Sequence, residues 1–189
     1  MRPKVADDIN RIIRIACWVT AWVTSAGHMK GYNHARYFLP YDQTFVDVLR
    51  AGGPDSYGLP AERDISNGEG NPCRSCLCDI AHGTRMLICA GRPFVALQPY
   101  AETGPIFLCG DACAPWEGAG MPPILQSSPD YLLKAYSADD RITYGTGQIT
   151  AAKKIVAVAS GLLERGNAAY VDVRSARNNC FQTRIRRVT

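Results

Sequence analysis

The clearest helical pattern in the chain lies in the segment TAAKKIVAVASGLLERGN, where apolar residues recur at intervals of three and four. That spacing predicts a main helix over about residues 151–165, with one apolar and one polar face. Thr150 is a suitable N-cap, and Gly166 is a typical helix stop. The predicted apolar face consists of Ile155, Val158, Ala159, Leu162 and Leu163.

A shorter helix is predicted in QTFVDVLRAGGP. Phe45, Val48 and Leu49 fall on one face, at the spacing i, i+3, i+4. Two glycines and a proline at 52–54 interrupt the pattern, so we expect the helix to end before them.

Most other apolar runs are short and bounded by Gly, Pro, Asp or Asn, which is typical of strands. Two pairs of runs are predicted hairpins. YLLKAYS is joined to RITYGTGQI through residues 138–140, and YVDVRSA is joined to CFQTRI through residues 177–179. Local hairpins with one interposed helix predict an α+β fold, in which the helix packs on a mostly antiparallel sheet.

The chain has 189 residues, of which 47% are hydrophobic and 20% charged, a composition typical of one globular domain. Its early apolar run, from Ile15 to Val23, is about half of the ~20 residues that a membrane-spanning helix needs. We interpret residues 1–34 as a helical N-terminal extension and residues 35–189 as a single α+β domain. We expect a cytoplasmic protein without a transmembrane span. The alternative is export, if the apolar run is a signal.

Charge is distributed unevenly along the chain, although the net charge is only +4. Residues 1–34 carry +3, residues 35–173 carry −4, and residues 174–189 supply +5 from five arginines. A protein that neutralises many phosphates usually has a broad basic face, which an acidic body lacks. The distribution argues against a nucleic-acid partner but allows a local site near the C-terminus for a small anionic ligand or a protein partner.

Four of the eight cysteines form two close pairs, Cys73-x2-Cys76 and Cys109-x3-Cys113. A two-residue spacing lets both sulfurs reach one ion from a single turn, and zinc binds four thiolates tetrahedrally. We therefore interpret the four cysteines as a structural zinc site. Two alternatives stay open: reduced cysteines that only pack, and disulfide or redox chemistry.

The predicted C-terminal hairpin is rich in arginine and asparagine, and another polar segment, QPYAETGPIF, leads into an apolar strand. Guanidinium groups and exposed backbone donors bind carboxylate or phosphate. We predict a ligand or anion site here. The alternative is a solvated hairpin whose arginines form surface ion pairs. The predicted site residues are Tyr100, Glu102, Arg174, Arg177, Asn178 and Asn179.

Four segments occur in the order GNPCRSCL, RPF…LQPYAETGPIFL, YLLKAYSADDRITYGTG and YVDVRSARNNCFQTRI. Together they resemble a bacterial family, the domain of unknown function 1203. The resemblance runs from about Thr44 to the C-terminus, so residues 1–34 lie outside it. It implies no particular activity, because the family has no established one.

The resemblance also bears on the cysteines, since the most similar members usually have histidine at the positions of Ser75 and Cys109. An exchange between histidine and cysteine at 109 would replace one zinc ligand with another, which a zinc site permits. The family's C-terminal hairpin often contains Cys-x-x-Cys, whereas here Cys180 is followed by Thr183. A metal site would thus belong to one branch of the family.

Two functional hypotheses follow. The first is a binding or accessory module with a structural zinc site and an anion-binding hairpin. The second is a small cysteine-dependent enzyme or redox-responsive protein that uses Cys73 or Cys180 with Glu102 and the arginines. A nucleophilic cysteine needs a nearby base, and His82 is the histidine closest in sequence to the first cysteine pair.

Overall fold

The computed structural model describes residues 36–187. Eight strands and two α-helices lie in this part of the chain, which confirms the predicted α+β class. The helices are α1 (Gln43–Arg50) and α2 (Ile155–Glu164), and short 3-10 turns occupy Pro123–Leu125 and Ala152–Lys154. The strands are β1 (Arg36–Leu39), β2 (Glu62–Ile65), β3 (Arg85–Gly91), β4 (Gly104–Cys109), β5 (Asp130–Tyr136), β6 (Gln148–Ala151), β7 (Tyr170–Ser175) and β8 (Phe181–Arg187).

Five strands form a large antiparallel sheet in the order β1-β8-β7-β5-β6. Both predicted hairpins are confirmed, because β5 pairs with β6 and β7 pairs with β8. In the turn between β7 and β8, Asn179 has φ 56°, a left-handed conformation that asparagine adopts more readily than most residues. The central strand β7 is buried on both faces except at its last residue.

The helix α2 covers one face of the large sheet with the apolar stripe predicted from the sequence. Four of the five stripe residues are buried in the main core with Val171 and Val173 of β7, and Val158 is partly buried. The predicted N-cap is wrong, because Thr150 belongs to β6 and a 3-10 turn precedes the helix. The predicted stop is confirmed, since Gly166 adopts φ 80° just beyond the helix.

A second antiparallel sheet has the order β2-β3-β4. The helix α1 packs on it through Val46 and Leu49, which share a core with Leu87 and Leu108 of the sheet. The predicted apolar face of α1 is partly wrong, since Val48 is 42% exposed. The edge strand β2 is exposed along its whole length, so this sheet relies on α1 and on neighbouring loops for cover.

The predicted extension over residues 1–34 lies outside the described residues. Its helical character and the single domain over residues 35–189 stay predictions. Between residues 36 and 187, no helix is long and apolar enough to cross a membrane.

Candidate functional site

A tight loop at residues 72–79 presents the first two cysteines next to β4. The amide of Leu77 donates to the carbonyl of Cys73 at 3.0 Å, and Leu77 adopts φ 52°, so the chain turns back on itself. This turn brings the sulfurs of Cys73 and Cys76 close together. Cys73 also forms a parallel bridge with Phe107, which fixes the loop to the strand.

The second pair of cysteines lies at the end of β4 and in the loop that follows. Cys109 is the last residue of β4, and its amide donates to Sγ of Cys73 at 3.3 Å. After Cys113 the chain returns over the first loop, where the amide of Trp116 donates to the carbonyl of Ser75 at 2.9 Å. Backbone hydrogen bonds therefore hold the two cysteine loops together.

All four cysteines predicted as ligands lie together, with their Sγ atoms within 4.8 Å of one another. Sγ of Cys73 lies 3.9 Å from Sγ of Cys113, and Sγ of Cys76 lies 4.0 Å from Sγ of Cys109. Sulfurs bound tetrahedrally to one zinc ion at about 2.3 Å are about 3.8 Å apart, whereas a disulfide joins its sulfurs at about 2.05 Å. The arrangement is therefore a cage of four free thiols of the size that a zinc ion requires.

A largely buried cation lies beside these thiols. Arg50, the last residue of α1, donates from Nη2 to Sγ of Cys113 at 3.0 Å and from Nε to the carbonyl of Cys109 at 3.3 Å. Its side chain is only 14% exposed. A positive charge in this position favours the thiolate form, which is the form that binds metal.

Hydrogen bonds among the thiols shift their pKa values in opposite directions. The hydrogen bond with Cys109 is the largest influence on Cys73 and lowers its pKa to about 7. The thiol of Cys109 also lowers the pKa of Cys113, with a further contribution from the charge of Arg50. In return the pKa of Cys109 is raised, first by its hydrogen bond with Cys113. Two of the four thiols are thus more acidic than an isolated cysteine.

Arg74, inside the first loop, connects the cysteines to the large sheet. Its buried side chain donates from Nε to the carbonyl of Phe181 at 2.7 Å, and its guanidinium carbon lies 5.8 Å from the ring centre of Phe107. Burial lowers the pKa of Arg74 to about 10. The loop that carries Cys73 and Cys76 is therefore anchored in both sheets.

Two other free cysteines in the described chain lie outside the group of four. Cys89 is 6% exposed in the core of the small sheet, and burial raises its pKa to about 12. Cys180 is partly exposed at the end of the turn between β7 and β8, where its thiol donates to the carbonyl of Asn178 at 3.6 Å.

A row of charged residues crosses the large sheet on the face opposite α2. Lys134, Asp172 and Arg184 are neighbours in register on β5, β7 and β8. The fully buried Asp172 accepts two hydrogen bonds from Arg184, at 2.7 Å from Nε and 3.2 Å from Nη2. Burial raises the pKa of Asp172, although the charge of Arg184 opposes the change.

Arg174 lies on the same face of β7, two residues beyond Asp172. Its Nη2 lies 2.8 Å from Oε2 of Glu102, and Nζ of Lys134 lies 2.7 Å from Oε1, so two cations share one carboxylate. Burial opposes ionisation of Glu102, but the hydrogen bond from Lys134 and the charge of Arg174 outweigh it, so the pKa of Glu102 is lowered.

The contact between Arg174 and Glu102 is an ion pair without the angle of a hydrogen bond. The Arg174 side chain is only 4% exposed, and Nη1 donates to the carbonyl of Asn179 at 3.0 Å. Its Nε and Nη2, like Oε2 of Glu102, are buried and have no hydrogen-bond partner among residues 36–187. Buried donors of this kind are rare, and each one needs a structural or functional explanation.

Arg174 lines a pocket of about 170 Å³ between the two sheets. The pocket adjoins the start of β4, and Cys109 lies at the other end of this strand, about 17 Å away at about 3.3 Å per residue. We call these places the pocket end and the cysteine end of β4. The pocket is lined by Gly91, Pro93, Glu102, Thr103, Gly104, Pro105, Arg174, Asn178, Asn179, Cys180 and Phe181.

The structure brings some of the predicted site residues together and separates others. Arg177 is exposed in the turn and forms an ion pair with Asp130 at 3.2 Å. Tyr100 lies against Tyr144, with the two hydroxyl oxygens 3.3 Å apart. Neither Arg177 nor Tyr100 lines the pocket. Four of the six predicted residues do line it: Glu102, Arg174, Asn178 and Asn179.

Sequence analysis missed the charged residues behind the pocket and the cation beside the cysteines. Asp172 has a usable signal, because Asp172 and Arg174 alternate with two valines and must share one face of the strand. Lys134 and Arg184 can be assigned to this charged row only when the register of β5, β7 and β8 is known. Arg50 has no such signal, since a basic residue in the last turn of a helix is common for electrostatic reasons alone.

The fold and the four thiols define a small α+β protein with a cysteine cluster that can hold a metal ion. The chain belongs to the family described as Protein of unknown function (DUF1203), and the family match spans residues 70–187. The match includes both cysteine loops and the hairpin of β7 and β8, and it confirms the resemblance seen in the sequence. No curated protein and no solved structure matches the chain.

Proposed function

We propose that this protein is a binding module in which zinc, held by Cys73, Cys76, Cys109 and Cys113, stabilises the fold, while the pocket beside Arg174 binds a small anion. The observation that most supports the proposal is the approach of four thiols from two loops to within 4.8 Å of one another. Zinc bound there would cross-link the loops. It would have no open position for a reaction, because four protein ligands complete its coordination.

The hydrogen bonds around the thiols support a metal site. The amide of Cys109 donates to the sulfur of Cys73, and the guanidinium of Arg50 donates to that of Cys113. A zinc ion with four thiolates carries a net charge of −2, which a neighbouring guanidinium partly offsets. Outer partners of this kind orient metal ligands and strengthen metal binding.

Burial does not distinguish metal binding from packing, whereas the convergence of the sulfurs does. Cys73 is fully buried, and Cys76, Cys109 and Cys113 are partly buried against the core of the small sheet. Packing alone does not require four sulfurs to approach one point, but a shared metal ion does.

Elemental analysis of protein purified without chelator tests the metal site. We expect about one zinc per chain, and less than half an equivalent would contradict the proposal. A chelator should then raise alkylation by iodoacetamide at the four cysteines, as mapped by mass spectrometry. A cysteine in an unstructured reference peptide is the control for any effect of the chelator on the reagent.

The charge balance supports the anion pocket. Lys134, Arg174 and Arg184 share the carboxylates of Glu102 and Asp172, so this cluster carries an excess of one positive charge. A buried charge without full compensation is costly. An anion in the pocket would offset this excess.

Protection of Cys180 tests the anion pocket directly, because this thiol is part of the lining. We expect propionate to slow the alkylation of Cys180 by iodoacetamide, whereas propionamide, which has the same size and no charge, should not. A cysteine in an unstructured reference peptide corrects for effects on the reagent. Equal rates in propionate and propionamide would contradict the proposal.

The alternative of a cysteine-dependent protein keeps partial support. Cys180, Glu102 and Arg174 line one pocket, but Cys73 does not line it and belongs to the thiol cage. The described lining residues include no histidine that could act as a base. If the protein is cysteine-dependent, its reactive residue is therefore Cys180 and not Cys73.

A further inference from the structure

Cys180 and the largely buried cation Arg174 line the same small pocket. Cys180 is partly exposed, and its contact with the carbonyl of Asn178 lies at the surface. The Arg174 side chain is only 4% exposed; its Nη2 forms an ion pair with Glu102, and its Nε has no hydrogen-bond partner within the described part of the chain. A ligand in this pocket therefore lies beside both a thiol and a guanidinium.

The size of the pocket limits what can fill it. Its volume of about 170 Å³ is roughly that of six water molecules in the liquid, which suits a short ligand with one charged group. Because the three cations Lys134, Arg174 and Arg184 face only two carboxylates, those of Glu102 and Asp172, the favoured group is a monoanion such as a carboxylate.

We propose that Cys180 is a modification site that accepts small carboxylate-bearing thiols as mixed disulfides, with the carboxylate held by Arg174. This inference rests on the anion pocket of the proposed function. The thiolate of Cys180 attacks one sulfur of an acidic disulfide, and the original sulfur–sulfur bond breaks. A bond forms between Cys180 and one half of the reagent, while the other half leaves as a thiolate and takes up the proton that Cys180 lost. Cys180 is oxidised and the leaving half is reduced, so no further oxidant is needed.

Access distinguishes Cys180 from the other free cysteines in the described part of the chain. Cys89 is buried in the small sheet, and the four clustered thiols would be bound to zinc. Thiol exchange requires access of the disulfide to the attacking sulfur. Among these free cysteines, modification should therefore be selective for Cys180 and should reverse on addition of a dithiol reductant.

The test compares two symmetric disulfides of similar size on the zinc-containing protein. In 3,3′-dithiodipropionic acid each half carries a carboxylate, whereas in 2-hydroxyethyl disulfide each half is neutral. Rates at Cys180, measured by mass spectrometry at low ionic strength, are divided by the rates at a cysteine in an unstructured peptide. We expect the acidic reagent to be favoured by about tenfold, the lower end of electrostatic rate enhancements, and added salt to reduce the preference.

Two variants sharpen the result. Arg174→Gln should abolish the preference for the acidic reagent, and Arg177→Ala, in the same turn but outside the pocket, should keep it. If Arg174→Gln does not fold, the salt dependence and competition by propionate in the unaltered protein decide instead. Equal normalised rates for the two reagents would overturn the inference. If propionate still protects Cys180 in that case, the anion pocket survives and only the modification site is lost.

Discussion

The two ends of β4 carry two different kinds of chemistry. At the cysteine end, four thiols come from two loops, and only Cys109 belongs to a strand. At the pocket end, charged residues project from neighbouring strands of the large sheet, and Asp172 is paired in register with both Lys134 and Arg184. The first group depends on loop conformation, and the second depends on strand pairing.

Because of this difference, we expect the cysteine end to determine stability and the pocket end to determine ligand binding. Loops lose order more easily than paired strands, so a cross-link contributes most where loops meet. The charged row is already held by the central strand of a five-stranded sheet with a helix on its other face. We therefore expect changes at the cysteine end to alter folding, and changes at the pocket end to alter mainly the binding of ligands.

The largest effect is expected for Cys76→Ala, which removes one of the four sulfurs. We expect loss of bound zinc and a fall in the free energy of unfolding several times larger than the roughly 1 kcal/mol of an average substitution. Thermal and urea denaturation, together with zinc content, measure the result.

Cys89→Ala is the matched control for Cys76→Ala. It removes a sulfur from the core of the same sheet but outside the cage, so zinc content should stay unchanged. We expect a loss of about 1 kcal/mol. Equal destabilisation by the two substitutions would contradict a structural metal at the cysteine end.

Arg50→Ala should weaken metal retention without removing a ligand. The substitution deletes the hydrogen bond to Sγ of Cys113 and a positive charge beside the thiolates, and loss of such outer partners typically lowers metal affinity about 10–100-fold. Competition with a chromophoric chelator measures the change. Arg63→Ala is the control, because Arg63 lies in the exposed strand β2 of the same sheet and outside both cysteine loops, so metal retention in this variant should not change.

What the sequence predicts well in this protein depends on local signals. The stripe of α2, both hairpins and the two cysteine pairs each follow from residues that are close in the chain. Thr150 misleads because threonine suits both an N-cap and a strand, and its pairing opposite Tyr131 extends β6 instead. The pocket is harder to predict, because it needs the register of three strands and a loop that brings Glu102 to Arg174.

Glu102→Gln should change the response to acid at the pocket end. The pKa of Glu102 is lowered in the folded protein, so its contribution to stability is complete above its usual value of 4.5 and is lost as the pH falls through the lower folded value. Unfolding free energies across this acidic range should fall less steeply in the variant. The control is Glu117→Gln, because Glu117 is exposed and has no ion pair with any described residue. In this variant the unfolding free energy should fall with decreasing pH as steeply as in the unaltered protein.

The smallest effect is expected for Arg177→Ala, which gives the strictest test of where the pocket end lies. Arg174 and Arg177 belong to one hairpin, yet Arg174 is almost fully buried in the pocket and Arg177 is 66% exposed in an ion pair with Asp130. Exposed pairs contribute about 0–1 kcal/mol, so we expect little change in denaturation and unchanged protection of Cys180 by propionate. If Arg177→Ala abolished the protection of Cys180 by propionate, the anion site would lie at the surface of the turn and not in the pocket. That result would also remove the reason for treating Arg174 as the cation that attracts the ligand.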